Sequence, residues 1–538
     1  MRMQGCVFYF LSAAHTHGAD AIGGTNMEFE WIRENMETEQ IIAAKPTQVS
    51  AETEVTLPGG LREEAKVYYA DATAAVNGGE LSGSRVTADG RVTFHVLYGQ
   101  GDLANVRALE ATADFSQALP LKEDYGQLAA VRLQPKAAVQ HVSAKAFNGR
   151  LLLQAILELT AEASLPRTVS FIRDGTEAPD IQKTSQTVAM QRTVGEGEVQ
   201  NLFREEFELS DVLKITDTLF ASAEAQVEDI MGGAEGKAAV TGTVTIDAYH
   251  ASGLPGRPLV YTRHTMPYEQ QVTLSGALGT ALAAQTAVKD VAVLSQETED
   301  GGRLMRAEIQ LATAIRAVED QEMDTLRDAF TTTGDALELQ TRQVVFRSGM
   351  VNETAAESGR TVMILPEGSP RVKTPLLAFV RPVLAGTELL KDNRLAADGV
   401  LDVTLIYQTD DSDVPVSVRQ EEAFHTVFST QALPEDSLTL TAVQVEPSAV
   451  TGDRVELKYI LRLHADGVRK GEAALVVDAS SVPAAEAGKG IILYYLQPGE
   501  TVWDLAKRCR APLSDITRLN PDLAESPAPG TPVIAYKR

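Results

Sequence analysis

The segment Gly232-Gly-Ala-Glu-Gly236-Lys237 has the glycines and lysine of a loop that cradles phosphate on backbone N–H groups. The pattern fails on three counts. Met231 stands where the first glycine belongs, Ala238 stands where Ser or Thr would hold a metal, and a strand pattern rather than a helix pattern follows. Asp410-Asp411-Ser412-Asp413 offers spaced oxygen donors like the opening of a calcium loop, but the required glycine and terminal glutamate are absent, so it reads as an acidic hairpin tip. His15 and His17 form a metal pair short of a full ligand set. The other six histidines are scattered without ligand spacing, and no serine elbow or Cys/His nucleophile pattern occurs. Acid/base carboxylates meet in space rather than in sequence, so spacing does not judge them. The expectation is a non-enzymatic chain with no cofactor, no metal and no catalytic residue.

Composition narrows the classes further. The chain has 538 residues, too many for one core, so several domains are expected. A net charge of −26 argues against nucleic-acid binding, which needs a Lys/Arg surplus to displace phosphate counterions. It argues equally against charge-driven docking on anionic lipid. The two cysteines, Cys6 and Cys509, lie at opposite ends and make neither a disulfide framework nor a metal spacing. No apolar run approaches the ~18–20 residues of a membrane span. Residues 1–27 read as a doubtful N-terminal extension: they faintly resemble a short secretion signal, and Met27 offers an alternative start just before repeat-like sequence begins.

Positioning falls to one recurring strand. In Gly90-Arg-Val-Thr-Phe-His-Val-Leu-Tyr98, Val92, Phe94, Val96 and Tyr98 point one way, and Thr93, His95 and Leu97 the other. The pattern returns at Gly242, with Val244, Ile246 and Ala248, and at Gly399, with Leu401, Val403 and Leu405. The leading glycines are 152 and 157 residues apart. A second alternating strand follows each one, after turns at Asn148-Gly149, Asp300-Gly301-Gly302 and Gly452-Asp453. It carries Leu151, Leu153, Ala155 and Leu157, then Met305, Ala307, Ile309 and Leu311, then Val455, Leu457, Tyr459 and Leu461. Three repeated sandwich- or barrel-like β domains are expected at 28–165, 180–319 and 331–471, strung as beads, with a polar connector at 168–193 and a flexible linker at 472–490. Short helices are expected at 277–286 and 320–330.

Residues 491–538 change character. They carry five acids and six bases, so this tail is +1 while the other 490 residues hold −27. A strand-like run at Ile491–Leu496 leads through Gln497-Pro-Gly-Glu to Thr501, a helix cap. Val502, Leu505, Ala506 and Cys509 then fall at helical spacing, and Pro512 opens a second helix burying Leu513, Ile516 and Leu519. Val533–Tyr536 closes a β-α-α-β layout. Trp503 is either core or an aromatic stacking platform.

Pro498-Gly499-Glu500-Thr501-Val502-Trp503-Asp504-Leu505-Ala506, then Ile516, Leu519-Asn520-Pro521 and Pro529-Gly530, resemble a LysM domain. The resemblance spans the whole tail. It implies a small α+β module whose loops bind N-acetylglucosamine-containing glycan or a protein partner. Those loops map to Gly499, Glu500, Thr501, Val502 and Trp503, and to Asn520, Pro521, Asp522 and Leu523, with Glu500 and Asp522 the stronger positions because loops carry function. Cys509-Arg510-Ala511-Pro512 departs from the family's aromatic-then-Gly stretch. The three repeats resemble the sporulation-associated SPOCS domain, in which glycine-led strands ending in Ile/Leu-Tyr recur; the second departs by ending in His250. SPOCS repeats followed by one LysM module are similar in arrangement to the clostridial spore-envelope assembly proteins. That arrangement implies work in the mother-cell cytoplasm at the forespore surface, with a coat-morphogenetic ATPase of the SpoIVA type as partner. The alternative is a peptidoglycan-binding protein held on cortex or wall glycan, and a third reading is a glycan hydrolase targeted by the tail.

Overall fold

The computed structural model describes residues 29–58, 65–99, 106–124, 132–254, 256–298, 303–392, 394–412, 414–430, 437–484, 490–524 and 527–537. Cys6, His15, His17, Met27, the Asp300–Gly302 turn, Asp413 and Glu525 lie outside the described residues. The chain is mainly β, with several separate sheets, and both described α-helices fall in the C-terminal tail. Among the described residues no helix is long and apolar enough to cross a membrane.

The first stretch holds β1 (Trp31–Ala43), β2 (Thr47–Thr56), β3 (Lys66–Ser82), β4 (Arg85–Gly99), β5 (Arg107–Pro120), β6 (Arg132–Phe147) and β7 (Arg150–Gly175). All pairings are antiparallel: β7 takes β1 and β2 on one edge and β6 on the other, while β3-β4-β5 form a second sheet. The next stretch holds β8 (Ile181–Leu209), β9 (Ile215–Gly232), β10 (Lys237–Leu254), β11 (Arg257–Thr273), β12 (Ser275–Gly276), β13 (Ala281–Glu297) and β14 (Arg303–Thr331). Here β8-β14-β13 form one sheet, with β12 beside β8, and β9-β10-β11 the other. The third holds β15 (Ala336–Ile364), β16 (Thr374–Leu389), β17 (Leu395–Gln408), β18 (Val416–Phe428), β19 (Ser437–Thr451) and β20 (Arg454–Val482), paired as β15-β20-β19 and β16-β17-β18. One strand order thus occurs three times.

Period-two spacing became burial. Val92, Phe94 and Val96 of β4 share one apolar cluster with Leu153, Ala155 and Leu157 of β7. Leu401, Val403 and Leu405 share another with Val455, Leu457 and Leu461, and Val244 and Ile246 a third with Met305, Ala307 and Ile309. Each such Val, Leu, Ile, Phe or Met side chain withdrawn from water contributes roughly 1.5–3 kcal/mol. The three leading glycines sit alike on the central strands β4, β10 and β17. A Cβ on any of them would strike a neighbouring strand's carbonyl, at Ala75, Gln226 or Val383, and an aromatic ring, at Phe115, Tyr268 or Phe424. An aromatic lying across a strand glycine is a known pin for register.

The long strands β7, β14 and β20 outrun their sheets. Their second halves pair only with β1 and with the first halves of β8 and β15, as two-stranded ribbons. These ribbons correct several expectations. Residues 320–330 are strand in β14 rather than helix, paired along β8, and 281–286 are strand in β13, paired along β14; the ladders override the helical preference of Ala, Glu, Met and Leu. The expected connector at 168–193 is largely β7 and β8, and the expected linker at 472–490 is strand as far as Val482. Ribbons with one wet face are polar enough to look like linkers.

Nor are the three stretches beads. Met36, Phe171, Val188, Met190, Met323, Phe346 and Leu475 come from all three ribbons and form one buried cluster. Beside it, Arg347 of β15 is 1% exposed. Its guanidinium donates to Thr193 Oγ1 of β8 at 2.6 Å and meets Glu39 Oε2 of β1 at 3.0 Å. A second three-way contact joins the outer faces of the small sheets. Tyr69 of β3 stacks on Phe379 of β16 at 3.7 Å, and Phe220 of β9 and Tyr249 of β10 complete the cluster. Leu97 and Ile406, both buried, pack there too, which is why the expected outward face of β4 and β17 is not wet. Tyr69 donates to Asp71, while Arg381 bridges Asp71 and Asp402 and Arg419 grips Asp402 with two nitrogens.

His250, within β10, is fully buried between Thr218 Oγ1 at 3.1 Å and Thr262 Oγ1 at 2.7 Å. Desolvation lowers its pKa to about 4. The unfolded chain takes up this proton near pH 6.5, and the folded chain only near pH 4. Stability from this group is therefore complete above about pH 6.5 and drains away as pH falls toward 4, by about 3 kcal/mol at most. The urea midpoint of the wild type should fall between pH 6.5 and 5 more steeply than that of His250→Gln. Equal slopes would refute this account.

Candidate functional site

The tail folds as β21 (Gly490–Tyr495), α1 (Val502–Cys509), α2 (Leu513–Leu519) and β22 (Pro532–Lys537), with β21 antiparallel to β22. Local chemistry fixes it. Gly499 takes φ +80° in the turn, a left-handed angle that suits glycine. Thr501 caps α1 in a capping box with Asp504, and the hydrogen bonds from Thr501 hold the Asp504 carboxyl below its usual range. Leu496, Leu505, Ala506, Cys509, Ala511, Ile516, Val533 and Ala535 are the buried core. Leu519, expected in that core, is 41% exposed.

The nine candidate residues divide by what they touch. Glu500 is held inside the module: its carboxylate accepts the Gln497 N–H at 3.0 Å and the Tyr494 hydroxyl at 3.2 Å, and pairs with Arg508. The Gln497 N–H leads in holding its pKa below the ordinary value. Asn520 spans α2 and β22, donating to the Ile516 and Ile534 carbonyls and accepting the Ile534 N–H. Thr501 is the cap, and Val502 and Leu523 pack on the core. Gly499, Pro521 and Asp522 are exposed, and a Cβ on Gly499 would meet nothing within 4 Å.

Trp503 is half-buried: it packs against the module core and reaches beyond it rather than standing as an open platform. Its ring meets Phe330 of β14 edge-on at 5.0 Å, and its Nε1–H donates to Asp328 Oδ2 at 2.8 Å. Lys507 takes the other Asp328 oxygen at 2.6 Å. Arg510, at the left-handed end of α1, donates to Thr331 O, Thr331 Oγ1, Thr333 O and Gly334 O at 2.7–3.1 Å, gripping the β14–β15 turn. The Leu513 N–H reaches Gln182 Oε1 of β8 at 3.3 Å. The helical side of the tail is thus seated on the β8–β14 ribbon. The expected tethered, free module is corrected to a docked one.

Spacing did not reveal Asp328, Lys507 and Arg510 as docking residues. One signal was present: Arg510 lies in the segment where the tail departs from the family it resembles. Among the described residues no group of three or more His, Cys, Asp or Glu is placed to hold a metal ion. Compared with known proteins, the chain matches no family model, no curated protein and no solved structure.

Proposed function

We propose that the chain is a non-enzymatic scaffold of spore-envelope assembly, made of three SPOCS-like β-sandwich domains and a LysM module. One observation carries this reading: a single strand order occurs three times, each with a glycine under an aromatic, and a β-α-α-β module is seated on the middle set. The three sets share two contact points, so they form one platform with an acidic surface on which a partner can bind at several places at once. The partner is a coat-morphogenetic ATPase of the SpoIVA type, met in the mother-cell cytoplasm at the forespore surface. Exposed Gly499, Pro521 and Asp522 of the tail and the solvent-facing residues of the larger sheets supply the contacts.

The second reading, attachment to cortex or wall peptidoglycan, draws on the same exposed loop residues. It loses weight because Trp503, the natural stacking surface for a sugar ring, is spent on Phe330 and Asp328. Full-length chain offered the ATPase on beads and, separately, insoluble peptidoglycan decides between them. Retention by the ATPase is the expected outcome. Retention by peptidoglycan with none by the ATPase overturns the first reading.

A further inference from the structure

The β21–β22 sheet has two faces with different fates. Ile492, Tyr494, Val533 and Ala535 turn inward under the helices. Ile491, Leu493 and Tyr495 of β21 and Ile534 and Tyr536 of β22 turn the other way and are 77, 58, 55, 39 and 44% exposed. Register places Ile491 beside Tyr536, Leu493 beside Ile534 and Tyr495 beside Pro532. Every position on this face is apolar or aromatic. A sheet face meant for water alternates polar residues outward, and this one does not. It carries roughly 600 Å² of exposed side chain, at the top of the range for the largest patch on an ordinary monomer. The ribbon of β8 and β14 is gripped from the helical side, so the docked tail leaves this face turned outward.

We infer that this face is a self-association surface, covered by the same face of a second copy of the chain. Three observations select a second copy. First, size: two such faces together remove on the order of 1,200 Å², the lower end of stable specific interfaces. Second, shape: a twofold axis in the plane of the sheet, running between the two strands, lays Leu493 of one copy over Ile534 of the other and Ile491 over Tyr536. Apolar positions then meet apolar positions across the whole face, as the isologous contact of a symmetric dimer requires. Third, charge: the tail is +1 while the remaining 490 residues carry −27. Two copies repel through their bodies, so the tail is where they approach at least electrostatic cost. The two tails would also hold the acidic bodies apart by two module thicknesses, and a bivalent scaffold follows from the pairing.

Sedimentation velocity of the full chain over the micromolar range tests this. The wild type should pass from monomer to dimer as concentration rises. Added salt should tighten the dimer, because screening relieves body–body repulsion. Leu493→Lys and Ile534→Lys, each placing a charge at the centre of the face, should raise the dissociation constant at least tenfold with unchanged far-UV circular dichroism. A second reading needs no variant: amide exchange in β21 and β22 of the wild type should slow as concentration rises. A wild type that stays monomeric, or dimers that survive both lysine substitutions, overturns the inference. So does a monomer whose β21–β22 face is protected only when a different protein is added.

Discussion

Replacing Arg347 by alanine is expected to lower unfolding stability by about 3–5 kcal/mol, the cost of breaking a buried ion pair from one side. Arg347 is the largest fully buried side chain among the described residues, and it bonds Thr193 of β8 and Glu39 of β1 while standing on β15. Its removal leaves the Glu39 carboxylate, largely withdrawn from water, without the guanidinium beside it, and opens a space among three ribbons. The double change Arg347→Met with Glu39→Met should recover most of the loss, because a buried pair replaced by apolar groups of similar size is often close to neutral. The measurement is the urea midpoint followed by near-ultraviolet circular dichroism, which reads aromatic packing. An Arg347→Ala protein with the wild-type midpoint would mean that the ribbons do not depend on this junction. A double variant no better than the single would mean that the cost lies in lost shape rather than stranded charge.

Gly399→Ala is the second large effect, expected at about 3 kcal/mol because a single added methyl cannot escape by rotation. Its Cβ would lie 2.2 Å from the Val383 carbonyl oxygen on β16 and 2.7 Å from the Phe424 ring on β18. The ring can swing, but the carbonyl belongs to the ladder, so β16 and β17 must part locally and lose hydrogen bonds. Gly386 lies on the same strand as Val383 with nothing within 4 Å of its would-be Cβ. Gly386→Ala is therefore the matched control and should stay within about 0.5 kcal/mol of wild type. Equal effects of the two substitutions would show that the glycine inside the repeated strand answers no packing demand.

The local half of this protein is legible in its residues alone. Alternation at Val92-Phe94-Val96 and Leu401-Val403-Leu405 fixed which face is buried, because a strand's side chains obey a period of two wherever one face meets a core. Thr501 with Asp504 fixed the start of α1, because a capping box satisfies its own backbone donors within four residues. Glycines at matching places in three similar strands announced a recurring packing problem. The rest depended on partners that folding brought together. Residues 320–330 have helical preference, and they became strand because β8 offered a full ladder of partners more than a hundred residues away. Whether Leu97 or Ile406 met water depended on which neighbouring sheet arrived at that face, and no spacing encodes an arrival. Trp503 was an open question in sequence because its partner Asp328 stands 175 residues earlier. Short-range geometry is written in neighbouring residues, whereas long-range pairing is settled by the global competition for burial and hydrogen bonds.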